Sequence, residues 1–152
     1  DAEFHQRMSQ NGCRTLLIPT AISYYYVRSD FGAFWCHAVD NGLWAFLPTL
    51  YTGRLVVSLK HCVPLIFWGS LAASCFLSLI FNPLILGALF MGGVYLSASI
   101  YYSALVAFRH KNIRFLLTMP VVFGALHLGY AIGSWNAVFK ILRHHLIGEQ
   151  RC

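Results

Sequence analysis

No aspartate or glutamate occurs between Asn41 and Gly148, and that gap limits what this chain can fold into. An ionised carboxylate at the centre of a bilayer costs about 3 kcal/mol or more, so acids are excluded from spans. The five acids are Asp1, Glu3, Asp30, Asp40 and Glu149, all outside it. Charged residues make up 11% of the 152, against about 25% in soluble domains. Hydrophobic residues make up 58%, and the mean hydropathy is +0.61. A mainly α, membrane-embedded chain is the expected class, with the lipid bilayer as its first partner. The net charge of +6 would also suit nucleic acid. The bases, however, sit at the ends of apolar runs, where they meet lipid headgroups, and no nucleic-acid partner is expected.

Three runs are long enough to cross, at about 62–81, 84–108 and 115–139. Twenty helical residues at ~1.5 Å each give ~30 Å, the thickness of the hydrocarbon core. Pro64 is expected in the first turn of the first span, where its missing N–H costs little. Asn82-Pro83 makes the first turn between spans, and the basic loop Arg109-His110-Lys111-Asn112-Ile113-Arg114 makes the second. The excess of Lys and Arg puts that loop, and with it residues 1–60, on the cytoplasmic side. Three full spans then leave Lys140, Arg143 and Arg151 outside, against the same rule. Either the tail is an exception, or the third segment is a hairpin or in-plane element that Gly124, Gly129 and Gly133 would allow to bend. The same segment carries Ala125, Gly129, Gly133 and Ala137 at four-residue spacing, a stripe that lets another helix approach closely.

The front of the chain is mixed. Asp1 can cap a short helix over Ala2–Gln10, which Asn11-Gly12 would stop. Thr15–Ile18 and Ala21–Val27 read as two short extended pieces. A helix, a turn and two strands are the tail of an α/β domain. Over 31–46, Phe31, Phe34, Trp35, Ala38, Val39, Gly42, Leu43 and Phe46 recur at helical period, with Cys36, His37, Asp40 and Asn41 opposite. This amphipathic helix is expected to lie in the membrane interface, the alternative being an ordinary core-facing helix. Pro48 ends it, a connector runs to about residue 60, and 143–152 is a basic tail.

Chemistry-bearing residues are sparse. Cys13, Cys36, Cys62, Cys75 and Cys152 are odd in number and lack C-x-x-C spacing, so they read as small packing residues, with no metal site expected. His144-His145 lacks further ligands nearby. His127, inside the third span, is expected to be neutral and hydrogen-bonded to a Ser or Tyr of the second span. Asp1 and Glu3 read as a helix cap and a solvated charge.

Taken in order, several segments resemble a known family. Asp1–Met8 followed by Asn11-Gly12-Cys13-Arg14-Thr15-Leu16-Leu17-Ile18-Pro19 resembles the E-D-x-E…R…G…P stretch of family 2 membrane glycosyltransferases of the bacterial exopolysaccharide type. Tyr24–Ser29, Phe34–Trp44 ending Asn41-Gly42-Leu43-Trp44, Leu59–Leu65 and Leu126–Gly133 resemble that branch's later segments in the same order. The resemblance implies that 1–30 is the C-terminal remnant of a GT-A catalytic domain, that 31–60 is the interface helix and connector, and that 61–142 is the membrane anchor. It implies transfer of a sugar from a nucleotide-sugar to a lipid-linked or polysaccharide acceptor at a bacterial inner (plasma) membrane.

Asp1 matches the family's general base, a role suited to a positioned carboxylate. Trp44, with His37 and Asp40 on the same helix, is the implied acceptor or interface surface. Asp40 and Leu43 stand where processive members carry Gln and Arg, so diphosphate contact by this helix is not expected. The nucleotide-sugar site and its divalent metal, Mg or Mn, would lie upstream of Asp1, so this part is expected to be inactive alone, with no cofactor of its own. The alternative is a small non-enzymatic multi-pass membrane protein, an assembly subunit or transporter piece.

Overall fold

A computed structural model describes residues 4, 7, 8, 11–14, 16, 18–52 and 59–148, without the side chains of 147 and 148. Asp1, Glu3, Cys152 and most of the first expected helix lie outside the described residues. Phe4, Arg7 and Met8 are helical. The stop at Asn11-Gly12 forms as expected: Cys13 N–H donates to the Met8 carbonyl at 3.0 Å, and Gly12 has φ +73°, a left-handed cap that glycine adopts without strain.

Among the described residues neither extended piece forms a strand. Thr15 and Leu17 lie outside the described residues, while Leu16, Ile18 and 21–27 are irregular and exposed. A strand is held by a ladder to a partner, and among the described residues none offers an edge to this segment. The tail of a GT-A domain is therefore not visible in this part of the chain.

Among the described residues five helices follow: α1 (Phe31–Phe46), α2 (Pro48–Thr52), α3 (Leu59–Leu77), α4 (Leu84–His110) and α5 (Arg114–Gly148). Helix α1 matches the sequence reading at both ends. Asp30 caps it, its carboxylate accepting from Ala33 N–H at 2.7 Å, and Pro48 opens the next element. Helices α3, α4 and α5 are each long and apolar enough to cross a membrane. The short connections between them make successive spans antiparallel. Helix α4 ends with Lys111 left-handed at φ 52°, while Asn112 N–H donates to the Ala107 carbonyl at 3.0 Å.

Several boundaries depart from the sequence reading: α3 ends at Leu77 rather than Phe81, and α4 runs on to His110. Helix α3 begins at Leu59, so Pro64 lies inside it rather than in its first turn. The ring takes away the hydrogen bond that Lys60's carbonyl would otherwise receive. Helix α5 is one continuous element of 35 residues, ~52 Å long, and neither a hairpin nor a segment stopped at residue 139. Lys140, Arg143 and the two histidines beyond them are adequate helix residues in water, and no proline or glycine intervenes before Gly148.

The most extensive packing in the molecule joins α1 to α5. The small-residue stripe of α5 makes it possible. Ala125 and Ala137 are buried, and a methyl added at Gly129 would come within 2.9 Å of Ala38 Cβ. A methyl on Gly133 would collide with the Val39 carbonyl oxygen, and one on Gly42 with that of Tyr130. The two backbones meet because neither helix carries a side chain there. Fully buried Ser134 closes the seam: its hydroxyl donates to the Tyr130 carbonyl at 2.9 Å and lies 3.3 Å from that of Gly42. The apolar face of α1 is thus taken up by another helix along Ala38, Gly42 and Phe46, while Phe31 at its start stays exposed.

Candidate functional site: an apolar cleft between the spans

Helices α3, α4 and α5 do not close fully on one another. Between them lies a cleft of about 590 Å³. Val63, Pro64, Phe67 and Trp68 form its α3 wall, and Phe123 and His127 its α5 wall. The α4 wall rises from Tyr95 through Ser99 and Tyr102 to Leu105 and Val106. The kinship of these walls is aromatic: Phe67 stacks on Tyr95 at 5.3 Å between centroids, and Trp68 meets Tyr95 edge to face at 5.7 Å. Such ring pairs add about 0.5–1.5 kcal/mol each beyond their burial.

Two polar side chains hold the cleft's inner end. The Tyr95 hydroxyl and His127 Nδ1 lie 2.9 Å apart, a hydrogen bond between the second and third spans, as the sequence reading expects of His127. Its edge-to-face ring contact with Tyr95 adds to the fit. Ser99 Oγ and Trp68 Nε1 are buried beside the cleft without a hydrogen-bond partner among the described residues. One turn away, His61 Nδ1 and the Tyr130 hydroxyl are in the same state, their rings 6.4 Å apart. Four buried polar groups so close together, each costing about 1–3 kcal/mol when unpaired, single out this region of the bundle.

The residues singled out by sequence fall elsewhere. Asp1 lies outside the described residues. His37, Asp40 and Trp44 sit at i, i+3 and i+7 on one face of α1, away from the seam. Asp40 is exposed, Trp44 is 62% exposed, and His37 Nε2 is paired with Asn41 Nδ2 at 3.1 Å. None of them lines the cleft. The cysteines are less buried than packing residues would be: Cys13, Cys36 and Cys75 are exposed and Cys62 half-buried, all as free thiols. No cluster of metal-ligating side chains occurs among the described residues.

No family model matches the chain, and it has no match among curated proteins or solved structures.

Proposed function

We propose that this chain is the membrane-embedded part of a family 2 glycosyltransferase of the exopolysaccharide type. It holds a GT-A domain at the inner face of the plasma membrane while a sugar passes from a nucleotide-sugar to a lipid-linked or polysaccharide acceptor. One observation carries the reading. The two membrane segments that resemble the family, Leu59–Leu65 and Leu126–Gly133, converge on one place in the fold: Pro64 and His127 line the same cleft, and His61 faces Tyr130 beside it. Asp1 is the general base of the transfer, and the divalent metal and nucleotide-sugar belong to the domain upstream.

The test is made in the full-length protein. Asp1→Asn removes the base and lowers transfer by at least ~10²-fold while membrane insertion is unchanged. Full activity in that variant rejects the role, and any other domain encoded immediately before Asp1 rejects the reading. The second reading, a non-enzymatic multi-pass membrane protein, draws on the α1–α5 seam, which pairs the amphipathic helix within the chain itself. It calls instead for a start codon just before residue 1 and for residues 1–152 folding stably in detergent alone.

A further inference from the structure

We propose that the cleft between α3, α4 and α5 holds one hydrocarbon chain of an anionic phospholipid, with the lipid's headgroup on Arg109. The inference does not depend on the transferase reading.

Length is the first argument. From Tyr95 to Val106 the α4 wall rises 11 residues, ~16 Å, against ~15 Å for half the hydrocarbon core. Along α4 the lining therefore extends over the depth of one leaflet, with the Tyr95–His127 pair at one end, while α3 and α5 wall a shorter stretch of it. Composition is the second. The Tyr95–His127 pair is hydrogen-bonded to itself, and apart from Ser99 Oγ and Trp68 Nε1 the lining is aromatic and aliphatic, so the space suits an acyl chain better than a headgroup.

Charge at the mouth is the third argument, and it chooses the lipid. Ala98, Tyr102 and Leu105 line the cleft, and Arg109 continues their series at i, i+4, i+7 and i+11. The guanidinium therefore stands one turn above the last lining residue on the same face of α4. It is exposed, as are His110, Lys111 and Arg114 beside it. No carboxylate occurs between Asn41 and Gly148 to compete for these cations. A phosphate oxygen pairs with Arg109 in the forked geometry guanidinium favours. A lipid without net charge fills the walls equally well but leaves the cationic mouth unneutralised.

The experiment uses the whole chain in phosphatidylcholine vesicles and reads quenching of Trp68 by lipids brominated on the acyl chain. The same measurement on Trp68→Phe supplies the signal of the other tryptophans for subtraction. Brominated phosphatidylglycerol is expected to half-quench Trp68 at about fivefold lower mole fraction than brominated phosphatidylcholine, the worth of one basic side chain at an anionic surface. Arg109→Gln, a change on an exposed residue, is expected to abolish that preference and leave the maximal quenching as it was. Ser99→Leu, which fills the cleft and removes an unpartnered hydroxyl, is expected to lower quenching by both lipids. Equal quenching by the two lipids in the parent protein overturns the proposal, and so does a preference that survives Arg109→Gln.

Discussion

At the scale of single residues, the hydrogen bond between Tyr95 and His127 decides the most. An imidazole in the middle of a span is tolerated when its polar atoms meet a partner on a neighbouring helix, and Tyr95 supplies one at 2.9 Å. Hydrogen bonds of this kind contribute modestly, because the separated helices also find partners. A double-mutant cycle of Tyr95→Phe and His127→Leu is therefore expected to give a coupling of about 0.6–1.7 kcal/mol, measured by reversible unfolding in mixed micelles. A coupling near zero would mean that the two groups act separately. This pair was legible in the sequence as far as its chemistry: a lone histidine in an apolar run demands a hydroxyl nearby. Which hydroxyl could not be read, because that depends on the rotation of α4 against α5, which no local pattern fixes.

Among the elements, α1 and α5 carry the packing that most depends on absent side chains. Gly133 lies against the Val39 carbonyl, whereas Gly124, nine residues earlier on the same helix, has open space around it. The two glycines therefore respond oppositely to one methyl group. Gly133→Ala is expected to destabilise the fold by about 1–3 kcal/mol, since the two backbones must separate. Gly124→Ala is expected to stabilise it by up to ~1 kcal/mol, through helix propensity alone. Unfolding midpoints of the two variants in the same detergent provide the check.

The sequence states these elements unevenly. Helix α1 was legible because its apolar residues recur at helical period from Phe31 to Phe46 and Pro48 ends it; the Asp30 cap appears only in the structure. The stripe from Ala125 to Ala137 declared a close-packing face. What covers the apolar face of α1 was not legible, since one helical period serves a lipid surface and another helix equally. The strands expected near 15–27 are absent among the described residues, because residue preference alone cannot hold a strand without a neighbour.

For the molecule as a whole, the acid-free stretch and the three long apolar helices describe a membrane protein whose thiols report on the solvent around them. Cys13 is exposed in the segment before α1, and Cys75 is exposed on α3, a helix long and apolar enough to cross a membrane. In single-cysteine variants on membrane sheets open to both sides, an impermeant maleimide is expected to label Cys13 readily and Cys75 only after the bilayer is dissolved. Ready labelling of Cys75 in intact sheets would place the Leu77 end of α3 in water. The cleft itself is not legible in the sequence. Its lining comes from three helices whose sequences each read only as spans, and its volume depends on how far α3 stands off the other two.

The seam between α1 and α5 also sets an order of events. Gly42 and Ser134, which face each other across it, are 92 residues apart in the chain. At ~5–20 residues per second, a ribosome needs on the order of 5–20 s to make the second after the first. Throughout that interval the apolar stripe of α1 is finished and its partner does not exist. Assembly of the seam therefore waits on α5: of α3, α4 and α5, the helix synthesised last is the one that captures α1, and a polypeptide truncated before residue 129 leaves α1 with no seat.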